Sequence, residues 1–460
     1  MKTKDSQRSA IILLLLGATA MSFLLHWGTG RWLAQWQPDT DSYLTFDWSS
    51  NESIFRGIRT PGYPLFLAMI TGVLGTSGVP FAHWVALVAA VALWHRGLRC
   101  IGFRELSAFC ASAPLLFSTA TWDLGNSITS DSLGITLCIG ACGLFLSAMA
   151  HPARGWNWVA LGIATLAAIL VRPAYMFLLP LWPIAAGWFA IMVLKADRTE
   201  RLRTMACAGV AAIVPFLGYC GLRAVMVGEF GLVSFAGYNL IGVTGQFITP
   251  EDLNQFQGRE HDVATRMLSK RQSVVDYAPP DSYETMVRLY NATVWGTAAP
   301  AAQEVFGNDV EGSNDVLKSI AITSLSLHRR EYLMWLLRNG KSMIEQLLRG
   351  TLTDFGSRLA VAGLAVGILT QALFPAWLRR WLTRMNGRLS ENLLSPSTEW
   401  RWLWWLCLAV ISAKGLLVIL VEPALGRYVA AVGCLIPSLV GWICGHLVET
   451  VAVSNSPVEA

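Results

Sequence analysis

Charge is scarce in this chain. Asp, Glu, Lys and Arg make up 14% of its 460 residues, against roughly a quarter in a soluble globular domain. With 54% hydrophobic residues, the chain cannot present a water-facing surface over its whole length. The net charge is only +5 and is scattered over short loops, so there is no cationic stripe to follow a phosphate backbone, and nucleic acid is excluded as a partner. Cysteine is absent from the long polar region. All nine (Cys100, Cys110, Cys138, Cys142, Cys207, Cys220, Cys407, Cys434, Cys444) lie in or beside apolar runs, without metal-ligand spacing, and read as small core residues. The histidines, His261 and His328 among them, show no pairing at metal spacing either. Internal repeats and low-complexity tracts are missing. The first apolar run ends without a small-residue cleavage site, so it reads as a signal anchor, not a removed signal peptide.

What the chain has in quantity is apolar sequence. Runs at 10–28, 80–97, 106–121, 128–150, 157–171, 173–194, 205–225, 354–374, 400–420 and 427–448 approach the roughly 20 residues that cross a bilayer. They predict an all-α polytopic membrane protein with about ten transmembrane helices. The run Gly62–Gly75 is short and contains Gly72, and it reads as a juxtamembrane or re-entrant helix. This threading puts Lys2, Lys4 and Arg8, the loops 96–104 and 195–203, and the basic run 379–388 on the cytoplasmic side, as the positive-inside bias requires. The opposite side receives 29–79, 121–131, the Val171-Arg172-Pro173 break, 226–353 and 422–428. The chain divides into an N-terminal transmembrane module, 1–225, a mostly helical extracytoplasmic segment, 226–353, and C-terminal transmembrane helices, 354–460. Within the segment, 283–294 and 325–348 read as helices. The second mixes apolar residues with Arg329, Arg330, Arg338, Lys341 and Arg349, like a helix lying on a membrane surface. The ends, 1–7 and 454–460, are expected to fray.

The notable polar residues all fall on the outward side. Asp39 and Asp41 follow Pro38 in a turn-rich stretch just after the first span. A carboxylate at the mouth of a helix bundle can accept a proton; the plainer reading of both is a helix cap. Asp131 opens a later span, where it either serves a reaction or only complements the helix dipole. Arg59, Arg172 and Arg427 stand at outward ends of apolar segments, each beside a Pro or Tyr or one residue from a Pro. Three guanidinium groups on one face suit a phosphate, whose oxygens they bind in pairs; snorkelling to lipid headgroups is the alternative for each. Lys414 and Glu422 lie in or near the ninth span, where ionisable groups are functional suspects, although Lys414 is near enough to the end to snorkel.

The order of these motifs resembles one family. Asp39 with Tyr43 four residues on, Arg59-Thr60-Pro61-Gly62-Tyr63-Pro64 leading into a short apolar helix, Asp131 opening a span, Val171-Arg172-Pro173, and Gly426-Arg427-Tyr428 before the last span are similar to the GT-C superfamily of integral-membrane glycosyltransferases. The likeness is to the bacterial branch with the lipid A aminoarabinose transferase and relatives of the protein O-mannosyltransferases. It covers 1 to about 225 best and returns at 320–350 and 420–440. It implies an inverting transferase in the bacterial cytoplasmic membrane, with its site facing outward. The partners implied are a polyprenyl-phosphate sugar donor, a glycan, lipid or protein acceptor, and the surrounding membrane lipids. Asp39 would be the general base, supported or replaced by Asp41. Asp131 would position hydroxyls, the three arginines would take the donor phosphate, and Tyr43, Tyr63, Tyr428 and Lys414 would line the substrate site. The aminoarabinose transferases carry a metal-associated glutamate just before the proline of this turn, where this chain has Arg59-Thr60. Arginine cannot ligate a metal, so transfer without a cofactor is expected, with Asp39 and Asp41 as the oxygen ligands left for a divalent ion. Competing readings are a transporter or flippase of a lipid-linked or anionic solute, a polymerase or ligase of lipid-linked glycan, and a membrane scaffold. A transporter would be expected to show repeats and midplane polar groups.

Overall fold

A computed structural model of the chain describes residues 2–273, 282–374, 377 and 398–454. The basic run 379–388 and the end 455–460 lie outside the described residues. Twenty-one α-helices follow one another in the described chain. Those of the first half are α1 (Lys2–Gly28), α2 (Thr40–Leu44), α3 (Asn51–Arg56), α4 (Gly62–Leu74), α5 (Val79–Cys100), α6 (Glu105–Ser112), α7 (Thr119–Gly125), α8 (Ser130–Ala150), α9 (Gly155–Val171), α10 (Leu178–Met192) and α11 (Arg198–Val227). The second half comprises α12 (Ala236–Thr244), α13 (Arg259–Arg271), α14 (Tyr283–Asn291), α15 (Ala299–Phe306), α16 (Val310–Leu327), α17 (Arg329–Thr353), α18 (Phe355–Leu373), α19 (Thr398–Val421), α20 (Gly426–Val432) and α21 (Ile436–Ser454).

Among the described residues seven helices are long and apolar enough to cross a membrane: Ser9–Gly28, Thr76–Cys100, Ser130–Ala150, Pro173–Met192, Arg198–Val227, Phe355–Leu373 and Trp400–Val421. An eighth crossing results if Gly426–Val432 and Ile436–Val451, which meet at 49°, act as one span. Length and composition therefore give seven or eight spans among the described residues, against the expected count of about ten. The run 157–171 forms α9, whose 17 residues extend about 26 Å at 1.5 Å per residue, short of a roughly 30 Å hydrocarbon core. The run 106–121 is not one helix. It breaks into α6, a 3₁₀ turn at Ala113–Phe117 and α7, because Pro114 cannot donate the backbone bond that a continuing α-helix needs.

Small residues set the helix packing. A Cβ on Gly97 would come within 2.3 Å of the Gly143 carbonyl oxygen, and one on Gly143 within 2.5 Å of the Leu93 oxygen. Two glycines thus let α5 and α8 cross backbone to backbone, the closeness on which dispersion between helices in lipid depends. α8 is the most enclosed span, 83% buried, whereas α1 and α18 are 17% buried and form the periphery. The segment 226–353 has its own core, in which Ile241, Val263, Met267, Leu317 and Trp335 are buried together. Its expected helices appear with altered limits. α14 runs on into a π-helical turn at Ala292–Ala298, and the 325–348 helix is interrupted at His328, which separates α16 from α17.

Candidate active site

The up-and-down threading brings the ends of α1, α9, α11 and α19 and the starts of α5, α8, α10 and α18 to one face of the bundle. The loop 29–79 is stitched to this face by backbone bonds from Gln35 N–H to Asn126 O (2.7 Å) and from Ile128 N–H to Gln35 O (3.0 Å). The Thr40 hydroxyl also donates to Ile128 O at 3.0 Å. The Arg59-Thr-Pro-Gly-Tyr-Pro turn is pinned from below. A Cβ on Gly62 would lie 2.5 Å from the carbonyl carbon and oxygen of Leu170, so only glycine lets α4 start against the Val171-Arg172-Pro173 break.

One connected polar network results. Arg59 Nη2 donates to Asp39 Oδ1 at 2.8 Å, and Arg427 Nη1 donates to Asp39 Oδ2 at 3.3 Å. Arg59 Nη1 donates to the Tyr43 hydroxyl at 3.2 Å, with its guanidinium 4.6 Å from the Tyr43 ring centre. Tyr43 in turn hydrogen-bonds Ser130 Oγ at 3.1 Å, to which Arg172 Nη1 donates at 3.3 Å. The same nitrogen lies 2.8 Å from Asp131 Oδ1. The Tyr428 ring closes the circuit between Arg172, at 5.3 Å, and Arg427, at 4.9 Å. The chain threading thus collects an acid from the first loop, two cations from segments far along the chain, and a second acid from the start of α8.

The plainer readings can now be tested. Asp39 precedes α2 but makes no side-chain cap bond to it; both of its oxygens face guanidinium groups. Burial alone would raise its pKa, yet Arg59 and then Arg427 outweigh burial and hold the carboxyl below its usual range. Arg427 bonds Asp39 and the Tyr428 hydroxyl, so it is committed to the protein and not only to the lipid surface. Asp131 stands in the first turn of α8, but its buried carboxylate is paired with Arg172, so it does more than face a dipole. Tyr63 is fully buried beneath Tyr43, ring centres 4.9 Å apart, with its hydroxyl 3.4 Å from His83 Nε2; it is a support for the site.

Two expected site residues lie apart from the network. Asp41 is exposed and accepts a bond from Trp36 Nε1 at 3.1 Å. Lys414 is buried beneath the site, donating to Ala174 O at 2.9 Å with its ammonium 4.7 Å from the Tyr175 ring centre. It satisfies a carbonyl next to the Pro173 break, where the helical ladder is interrupted. Among the described residues no three His, Cys, Asp or Glu side chains group as a metal site, and the oxygens of Asp39 are already engaged by arginine.

Three participants are absent from the sequence reading. Ser130 joins Tyr43 to Arg172, and its only local signal is its place beside Asp131. Asn339 and Gln346 on α17 hold the 422–427 loop. Asn339 donates to Glu422 O at 2.8 Å and accepts from Ala424 N–H at 2.8 Å, and Gln346 donates to Ala424 O. Arg427 also borders a largely apolar cavity of about 340 Å³, between the 118–124 stretch, α17 and α20. No family model, no curated protein and no solved structure matches the chain.

Proposed function

We propose that this chain is an inverting glycosyltransferase of the GT-C type, moving a sugar from a polyprenyl-phosphate donor to an acceptor hydroxyl at the outward face of a bacterial cytoplasmic membrane. The observation that carries the reading is Asp39 held between Arg59 and Arg427 at one end of an apolar bundle. An acid suited to proton removal lies within hydrogen-bond distance of two phosphate-binding cations. A further mark is the buried Arg59 Nε, which has no hydrogen-bond partner. Such an orphaned donor costs about 1–3 kcal/mol, and a phosphate oxygen would satisfy it. The cavity beside Arg427 gives the apolar tail of such a donor a place next to the cation that takes its phosphate.

In this reading the arginines exchange partners. On donor binding, Arg59 and Arg427 turn from Asp39 to the phosphate, and the freed carboxylate regains the basicity that the ion pairs suppress. Asp39 then takes the acceptor hydroxyl proton as the acceptor oxygen attacks the anomeric carbon from the face opposite the phosphate. The carbon–oxygen bond to phosphate breaks, and the electron pair leaves with polyprenyl phosphate, whose growing charge the two guanidinium groups receive. Asp131 and Arg172 hold Ser130 and Tyr43 as the floor on which the sugar rests.

Lipid-extract mass spectra test this in cells without the gene, complemented with wild type or with Asp39→Asn. A polyprenyl-phosphate sugar should accumulate in the null and in the mutant and fall with wild type. If the mutant clears it as wild type does, the base assignment fails. If no lipid-linked sugar changes in any strain, the transferase reading fails, and transport of an anionic solute replaces it.

A further inference from the structure

α17 is bound to the membrane face at three points along its length. Near its start, the Tyr332 hydroxyl donates to Leu420 O, at the last turn of α19. At its middle, Asn339 donates to Ile419 O and Glu422 O. At its end, Asp354 is the single residue between α17 and the span α18, and Asp354 Oδ1 accepts from Ser118 Oγ at 2.9 Å and Thr119 N–H at 2.8 Å. A 25-residue helix whose start and middle touch the end of α19 and whose end leads directly into the start of α18 lies at the level where these two spans end.

Its two faces differ in kind. Trp335, Asn339 and Met343 are buried against the protein. Leu333, Leu337, Ile344, Leu348 and Leu352, spaced at four or seven residues, share another face and are between 54% and 76% exposed. Arg330 and Lys341 lie on that same exposed face and Arg349 beside it; Lys341 also stands 3.7 Å from the exposed Glu345 carboxylate, a solvated pair that a lipid phosphate can replace. An exposed leucine stripe bearing cations, on a helix fixed at the level where two spans end, matches the composition of an interfacial helix.

We infer that the exposed face of α17 lies in the outer leaflet and binds the headgroups of anionic phospholipids through Arg330, Lys341 and Arg349. Through Asn339 and Gln346 on its opposite face, the helix carries that contact to the loop that bears Arg427. The bilayer is then a structural partner of the site and not only its solvent. This inference does not depend on the transferase reading.

The test uses the full chain in nanodiscs of phosphatidylcholine, with or without phosphatidylglycerol. Nitroxide labels at Leu337 and Ile344, introduced one at a time as cysteines, should be relaxed by oxygen, which concentrates in lipid, and shielded from an aqueous nickel chelate. Phosphatidylglycerol should co-purify with the wild type, with retention falling roughly fivefold for each charge removed in the Arg330→Gln, Lys341→Gln, Arg349→Gln series. It should also slow amide exchange at 422–428. Labels relaxed by the aqueous chelate overturn the lipid-facing placement; labels reached by neither reagent overturn it in favour of a protein partner. Labels in lipid with retention and exchange indifferent to the charges overturn the headgroup site.

Discussion

The two ion-pair groups of the site differ in how enclosed they are. At its floor, the Asp131 side chain is 3% exposed and that of Arg172 15%. At its rim, the side chains of Asp39, Arg59 and Arg427 are 34%, 24% and 35% exposed. The floor pair has one acid for one cation, and its removal would strand a buried charge. The rim has one acid for two cations, with a spare donor on Arg59. The difference separates a fixed scaffold from an arrangement that a ligand can rearrange, because a solvated carboxylate shared between cations is the easier one for an anion to displace.

The strongest way to break this contrast is at the floor. Arg172→Met should destabilise the detergent-solubilised protein by about 3–5 kcal/mol, since it leaves Asp131 buried and unpaired. The double change with Asp131→Leu should recover much of that loss, read as midpoints of thermal unfolding. A single substitution as mild as the double would show that the floor is not a tight pair. At the rim, Arg59→Gln should cost no more than about 1 kcal/mol of stability, as for a partly exposed pair, while lowering the rate of donor consumption by about 10²–10³-fold, the usual effect of losing one charge-stabilising donor. Loss of folding instead would make the rim a scaffold too.

Acid titration sharpens the comparison further. The pKa of Asp39 is lowered in the folded protein, so its ion pairs stabilise fully above the unfolded-state value of about 3.9 and are lost as pH falls through the lower folded value. The stability gap between wild type and Asp39→Asn should therefore be constant from neutral pH down to about 4 and close below it. A gap that already closes near pH 6 would contradict the depressed pKa. The smallest effect belongs to Asp41→Asn. With its carboxylate exposed and bonded only to the Trp36 indole, it should change stability by less than about 0.5 kcal/mol and leave the rate within about twofold, the uncertainty expected of a surface site. A large loss of rate would put Asp41 back beside Asp39.

Some of this was legible along the chain. The short helix after Arg59-Thr-Pro-Gly-Tyr-Pro, the break at Arg172-Pro173, the helical character of 226–353 and most spans follow from apolar run length and proline chemistry. The break within 106–121 was not legible because hydropathy registers apolar content, whereas Pro114 removes a backbone donor from the middle of the run. Lys414, read as near enough to the span's end to snorkel, is instead buried, a placement missed for a related reason. Hydropathy marks an ammonium inside a span as unusual, but only the packed structure reveals a broken helix next to it with a carbonyl to satisfy.

The sequence by itself determined the membrane class of this protein and where most of its long apolar segments lie, since these depend on near neighbours and on transfer of side chains to lipid. Only the tertiary structure decided which charges meet. Arg427 reaches Asp39 across 388 positions, Ser130 becomes a junction, and Asp41, two residues from Asp39, is left out. Pairings of that kind depend on the crossing of helices at Gly97 and Gly143 and on the docking of Gly62 against Leu170. These are close contacts between distant segments, which no local pattern in the chain encodes.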